Sequence, residues 1–334
     1  MSAERAREPP DEPLLSAIGL QKRYAVRRGL FGSATASLAA LRGVDFEIAG
    51  GQTLGLVGES GSGKTTVGRI VARLTEPDSG SIRFGGQDWL ALSGRELRRR
   101  RRDLQVVFQD PQTSLNPRMR AADQIGEPLR VQGLARGRAL RERVRELLAD
   151  VGLPPEAGAR FPRELSGGQR QRVAIARALA TGPRLVVCDE PVSALDVSIA
   201  AQIVNLLLDL RERAGLSYLF ISHDLAVVSR IADRIAILYL GRIVEEGPAH
   251  QLTALPLHPY SAALVAAAPD PDPSGGRLRI PLGGEPPSAA EPPPGCPFHP
   301  RCPIARPQCG QERPELLEVA PGRRVACFFP GEMP

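Results

Sequence analysis

The chain has 334 residues, and its 42% hydrophobic content is that of a globular protein. That length suits one large domain and a smaller one. The formal net charge of +6 permits contact with nucleic acid or a membrane surface without demanding it, and no apolar run is long enough to span a bilayer.

The segment Met1 to Pro13 is charged and proline-rich, so it reads as neither signal peptide nor anchor. The protein is therefore expected in the cytoplasm, meeting any membrane through partners. Leu15 to Leu20 reads as an edge strand. Tyr24 follows, ahead of a basic, glycine-containing loop through about Ala36. Leu41 to Ile48 alternates apolar and polar residues, the pattern of a half-buried strand. The run Thr53 to Val57 is apolar throughout and predicts a buried strand.

That strand leads into Gly58-Glu59-Ser60-Gly61-Ser62-Gly63-Lys64-Thr65, which fits G-x-x-x-x-G-K-S/T. A helix pattern from Thr66 to Leu74 leaves it. Strand, glycine loop and helix are the context a phosphate-binding loop requires. The glycines let backbone N–H groups converge on phosphate oxygens, and the helix N-terminus adds positive potential. Lys64 would reach the β- and γ-phosphates, and Thr65 would offer a hydroxyl to Mg²⁺. Lys64 and Lys22 are the only lysines in an arginine-rich chain. A compact ammonium suits the phosphate site.

Asp78 to Gly86 reads as turn, strand and turn. A basic helix follows, with five consecutive arginines, Arg98 to Arg102. Such a run is a solvated face or a contact for phosphate or lipid headgroups. Leu104 to Phe108 is a buried strand ending at Gln109, and Asp110 to Met119 is a loop with two prolines. Ala121 to Val151 is helical in pattern, with Val144, Leu147, Leu148 and Val151 on one face. Leu165-Ser166-Gly167-Gly168-Gln169 precedes a helix from Arg170 to Ala180, and small residues with free N–H groups there suit an anion.

Leu185 to Glu190 is an apolar strand closing on two carboxylates, and Ser193 to Asp196 leads to a helix from about Ile199 to Ala214. Tyr218 to Ser222 is a strand ending at His223. Ile235 to Tyr239 and Arg242 to Gly247 make a hairpin around Gly241. Strands alternating with helices predict an α/β fold with a mainly parallel sheet, whose ligands bind at the strands' carboxyl ends. Lys64, Gln109, Asp189, Glu190 and His223 all follow strand ends, so they are expected to share one site. There Asp189 would hold the Mg²⁺ shell, Glu190 would polarise water and His223 would sense the γ-phosphate.

Composition shifts near Leu257. Ala266 to Pro294 is dense in proline and glycine and reads as a linker or a loosely wrapped segment. Beyond it lie Cys296, Cys302, Cys309 and Cys327, spaced C-x₅-C-x₆-C-x₁₇-C. The fifth cysteine, Cys188, reads as a small core residue. Cytoplasmic proteins seldom keep structural disulfides, so the four favour a metal. The spacings are too wide for a common zinc finger. Four thiolates suit an iron–sulfur cluster or zinc, with free thiols the remaining reading and His299 an alternative ligand.

The ordered set of motifs resembles the ATP-binding subunits of ABC transporters over about residues 15–250. Gly58 to Thr65 looks like the Walker A loop, with Thr66 beside it. Gln109 looks like the Q-loop glutamine, which also meets Mg²⁺, and Leu165 to Gln169 looks like the LSGGQ signature. Leu185 to Asp189 looks like Walker B, Glu190 like the catalytic glutamate, Ser193 to Asp196 like the D-loop and His223 like the switch histidine. Tyr24 sits where the family places the aromatic that stacks on adenine. The resemblance implies a P-loop NTPase with a RecA-like core and a helical subdomain at about 110–180. It forms a cassette over 1–255, followed by a cysteine-containing extension over 256–334. It also implies ATP and Mg²⁺ as ligands and head-to-tail pairing with a second cassette. In that pair Ser166, Gly167, Gly168 and Gln169 act on the partner's ATP.

A narrower resemblance is to oligopeptide and dipeptide importers. Phe108 to Met119 resembles their Q-loop region, and His258 to Leu264 followed by Pro269-Asp270-Pro271 resembles their tail. Asn116-Pro117-Arg118 and the stretch from Leu165 to Arg172 lean toward the second, F-type ATPase of such systems. The resemblance implies two permease partners, a different second ATPase chain and, indirectly, an extracytoplasmic solute-binding protein. It places the chain on the cytoplasmic face of the membrane, with no nucleic acid expected, and puts a 4Fe–4S cluster in the cysteine tail of some members. Nickel or another small solute is the alternative cargo. A soluble ABC ATPase acting on nucleic acid or ribosomes is the alternative class, with the arginine run its only support. An exporter cassette is disfavoured by the cysteine tail and the Asp110 to Met119 stretch.

Overall fold

In the computed structural model, which describes residues 12–28, 34–267 and 283–333, strands β1 (Leu15–Arg28) and β2 (Ala34–Ile48) form a long antiparallel hairpin. Strand β3 (Thr53–Val57) leaves it for a second sheet, while β4 (Ser79–Phe84) and β5 (Gln87–Asp88) return to the first. The first sheet runs β2-β1-β4-β5. Leu15 to Leu20 is thus flanked on both sides and is not an edge. Pairing also continues through Tyr24 to Arg28, where a loop was expected. Register shifts after Ala17, Leu20 and Lys22 break the two-residue alternation that would have marked a strand. Residues 29–33 of the expected loop, and residues 1–11 of the leader, lie outside the described residues.

The second sheet adds β6 (Leu104–Val107), β7 (Leu185–Asp189), β8 (Ser217–Ser222), β9 (Arg234–Tyr239), β10 (Arg242–Pro248), β11 (Leu317–Ala320) and β12 (Arg323–Val325). Its order is β11-β12-β10-β9-β3-β8-β7-β6. The five strands from β6 to β9 in that order are parallel, and the rest are antiparallel. Strand residues point alternately to the two faces. Leu54, Leu56, Val187, Leu219 and Ile221 enter one core with the first sheet and with α1 (Lys64–Val71). Val57, Val186, Tyr218, Phe220 and Ile237 enter the other.

Helices α2 (Gly94–Arg100), α3 (Pro111–Ser114), α4 (Ala121–Val131), α5 (Gly137–Asp150) and α6 (Gly167–Leu179) come next in the chain. The pattern predicted for Ala121 to Val151 is divided at residues 132–136, and Val144, Leu147, Leu148 and Val151 face the core. The arginine run is not only a solvated face. Arg100 donates to Gln87 Oε1 at 2.7 Å and Arg101 to the Arg73 carbonyl at 2.9 Å, which ties α2 to its neighbours. Helices α7 (Val197–Ala214), α8 (Leu225–Ile231), α9 (Ala249–Ala254), α10 (Pro259–Ala267) and α11 (Pro307–Gln311) complete the chain.

The tail is stitched into the main sheet. β12 pairs with β10, Glu245 opposite Val325 and Glu246 opposite Arg324. Glu245 is fully buried and accepts from the backbone N–H groups of Leu257 and His258 and from Arg323 Nη2 at 2.8 Å. Glu246 is held by Arg234 and Arg324. Buried carboxylates need such partners, because an unpaired charge away from water is costly. Of the expected linker, α10 reaches Ala267, and residues 268–282 lie outside the described residues.

Candidate functional site

Close approach dictates the glycines of the loop after β3. A Cβ on Gly58 would lie 2.2 Å from the Leu238 carbonyl oxygen, so no larger residue fits. Gly63 has φ +110, a conformation that L side chains avoid, and it hands the chain to α1. No side chain caps α1 and its first turn carries no acid, which leaves the loop's amide donors to an anion. Lys64 folds back along the loop, its Nζ donating to the carbonyls of Gly58 at 2.7 Å and Glu59 at 2.9 Å. It is buried, and desolvation lowers its pKa against the opposing pull of Glu190, Asp189 and Glu59.

The carboxylates arrive from β7. Asp189 is buried and accepts from Thr65 Oγ1 at 3.2 Å. Burial raises its pKa, with the Thr65 hydrogen bond opposing. Glu190 has φ +48, an uncommon conformation for a residue with a side chain, and its N–H donates to the Ile221 carbonyl. The side chain is fixed at both oxygens. Gln109 Nε2 donates to Oε2 at 2.9 Å, and His223 Nδ1 lies 3.3 Å from Oε1. Ser193 Oγ donates to the Glu190 carbonyl at 3.1 Å.

Tyr24, Lys64, Thr65, Gln109, Glu190 and His223, among others, line a cleft of about 700 Å³, and Asp189 and Ser193 meet its wall through Thr65 and the Glu190 carbonyl. Glu59, Ser60, Gly61, Gly63 and Thr66 line it too, while Ser62 turns inward and is buried. Such a space accepts a molecule of nucleotide size, and its wall carries the loop's anion donors, an aromatic and a held carboxylate. The structure does not bring Ser166, Gly167, Gly168, Gln169 or Asp196 into this cleft. Ser166 instead caps α6 in a reciprocal box, its Oγ accepting from Gln169 N–H while Gln169 Oε1 accepts from Ser166 N–H. Asp196 precedes α7.

Residues 41–193 match the family model described as ABC transporter, and residues 244–309 match the model described as oligopeptide/dipeptide transporter, C-terminal region. The oligopeptide transport ATP-binding protein AppF of Bacillus subtilis is 49% identical over 321 residues, covering 95% of this chain and 98% of that protein. The chain belongs to the ABC transporter ATP-binding proteins. The dipeptide transport ATP-binding protein DppF of Haemophilus influenzae is 46% identical, covering 95% of this chain and 96% of its own length. A solved structure of the dimeric ATP-binding cassette MJ0796, bound to ADP and Pi, superposes with a TM-score of 0.62 at 32% identity. It covers 70% of this chain and 98% of that one.

In this ABC protein the four tail cysteines meet round one small cavity, with His258 and His299 also on its wall. The expected cluster does not fit that geometry. The space is about 10 Å³, at the lower limit for a single water, and a four-iron cluster is far larger. Among the described residues no three His, Cys, Asp or Glu side chains are set to hold a metal ion. Burial pushes the Cys296 thiol up to about 11 and raises Cys302 and Cys327, so without a metal these groups are thiols.

Sequence reasoning missed the residues that meet the loop from the tail. Tyr260 Oη accepts from Glu59 N–H at 2.9 Å, and Arg301 pairs with the Glu59 carboxylate at 2.8 Å. Leu264 and Ala289 line the cleft. The tail's likeness to importer tails singled out His258 to Leu264, but nothing in its spacing pointed it at residues some two hundred positions earlier.

Proposed function

We propose that this chain is the ATP-hydrolysing subunit of an importer for oligopeptides or dipeptides. The observation that carries the enzymatic reading is the Glu190 carboxylate, held at one oxygen by Gln109 and at the other by His223, at the phosphate end of the cleft. In that reading the loop from Gly58 to Thr66 cradles the phosphates, Lys64 turns from the loop carbonyls to the β- and γ-phosphates, and Tyr24 stacks on the base. Glu190 polarises the attacking water, Gln109 orients that water, and His223 carries the γ-phosphate's presence to the carboxylate. The touching hydroxyl of Thr65 and carboxylate of Asp189 offer the hard oxygen donors Mg²⁺ prefers, with Gln109 beside them. The ion, when bound, neutralises charge on the β- and γ-oxygens.

Ser166 to Gln169 lie away from their own cleft, which supports their acting on the ATP of a second cassette, with Ser193 and Asp196 at the seam between the two. The cargo reading is supported by the printed names of the relatives and by the C-terminal match. The assembly contains two permeases, a second ATPase of different sequence and, outside, a solute-binding protein. No helix among the described residues is long and apolar enough to cross a membrane. In the importer reading the chain docks on the permeases at the cytoplasmic face. The domain division at 255/256 stays a working one, since the extension continues the cassette's sheet. A metal role for Cys296, Cys302, Cys309 and Cys327 rests only on their gathering. Iron and zinc analysis of anaerobically purified protein tests it, and colourless, metal-free, folded protein sinks it.

Affinity purification from gently solubilised membranes tests the assignment. Two polytopic permeases and a second ATPase are expected. Recovery with nucleic acid or ribosomes and no permease would overturn the transporter reading.

A further inference from the structure

The phosphate-binding loop is gripped from behind by the C-terminal extension. Arg301 stands in the turn between Cys296 and Cys302, yet its side chain is only 5% exposed. Both arms of its guanidinium meet Glu59, Nη1 to Oε2 at 2.8 Å and Nη2 to Oε1 at 3.0 Å. This two-armed geometry fixes direction as well as distance. Arg301 Nε donates to the Gly283 carbonyl at 3.0 Å, and Nη1 also reaches Tyr239 Oη at 3.4 Å. The turn itself is anchored by Phe298, which is buried 5.4 Å from the rings of both Tyr239 and Tyr260. Tyr260 in turn takes the Glu59 N–H. Glu59 is therefore held at its backbone by Tyr260 of α10 and at both carboxylate oxygens by Arg301 of the tail, while Tyr239 of β9 supports Arg301. The Glu59 carbonyl accepts from Lys64, so the position of the lysine depends on the same grip.

We infer that Arg301 is a positioning residue of the nucleotide site: it fixes Glu59 and neutralises its charge beside the incoming phosphates, making the C-terminal extension a working part of that site. The inference rests on the nucleotide reading of the cleft. Without Arg301 the Glu59 carboxylate stands unpaired and repels the triphosphate. Nucleotide affinity should suffer more than turnover at saturation.

The test is Mg-ATP affinity and steady-state hydrolysis, measured on the full chain for wild type, Arg301→Ala, Arg301→Lys and the double variant Arg301→Ala/Glu59→Gln. Arg301→Ala should weaken ATP binding about fivefold to tenfold, with a smaller change in kcat and a deficit that shrinks as salt is raised. Arg301→Lys keeps the charge but loses the fork and should weaken binding about twofold. The double variant should recover most of the affinity lost in Arg301→Ala, a rescue that mere damage to the tail's packing would not allow. Should Arg301→Ala fail to fold, Arg301→Lys and the double variant decide. Unchanged affinity in Arg301→Lys, or a double variant as weak as or weaker than Arg301→Ala, overturns the inference. Wild-type protein that binds no ATP overturns the nucleotide reading and this inference with it.

Discussion

In the nucleotide cleft the charged and amide groups of the site follow the carboxyl ends of parallel strands. Lys64 follows β3, Gln109 follows β6, Asp189 ends β7 and His223 follows β8. In the tail, the four cysteines reach one cavity from turns, a short helix and an irregular end. The cleft's groups are engaged with one another, Thr65 with Asp189 and Glu190 with Gln109 and His223. The tail's best-engaged side chain is not a cysteine but Arg301, and its partner lies in the cleft's own loop. Regular topology places chemistry predictably, while irregular chain places it through individual contacts.

The sharpest way to break this comparison is at Glu190. Glu190→Gln keeps the shape and one hydrogen-bonding oxygen but removes the carboxylate, so hydrolysis should fall about 10²- to 10³-fold while ATP stays bound. Single-turnover and binding assays on the same preparation separate the two effects, and a loss of binding equal to the loss of rate would contradict the assigned role. Next is Lys64→Ala, which removes a charge-assisted donor. A fall in ATP affinity of about 10- to 100-fold is expected from isothermal titration.

The tail is probed by acid. His258 is buried, its Nδ1 accepts from Tyr260 N–H at 3.0 Å, and desolvation lowers its pKa to about 3. The nearby Glu245 carboxylate is taken up by Arg323 and by backbone N–H groups. The folded state thus keeps His258 neutral, while the unfolded chain takes a proton below about 6.5. The stability contributed is fully present above that pH and drains away as pH falls toward about 3. The loss at pH 5 relative to pH 7 is about 2 kcal/mol. Thermal melts should show this acid limb in wild type and lose it in His258→Asn, even if the variant is weaker at every pH. An unchanged limb would place the titrating group elsewhere. The smallest expected effect is at the α6 cap, where Ser166→Ala should cost about 1 kcal/mol in urea unfolding.

Legibility followed the same division. The buried strands ahead of Gly58 and Glu190 were readable because unbroken apolar runs end abruptly in polar residues, and the parallel sheet then brings those ends together. The hairpin of β1 and β2 was misread because three register shifts hide its period. The cysteine spacing announced a cluster, and the cysteines do gather, but the cavity they close is too small for one. Arg301 was invisible. It is one of many arginines, and its ion pair joins residues 242 positions apart. Tyr260 lay inside a stretch already singled out, but a resemblance in sequence does not say which backbone N–H a phenol will meet.

ATP hydrolysis in this cleft drives peptide uptake. Its most direct measurement is ATP hydrolysis by the chain assembled with its permeases in sealed vesicles, with and without a loaded peptide-binding partner. Hydrolysis should rise with peptide, peptide should accumulate across the membrane, and both should disappear in Glu190→Gln. Hydrolysis indifferent to peptide, or equally fast in Glu190→Gln, would contradict that coupling.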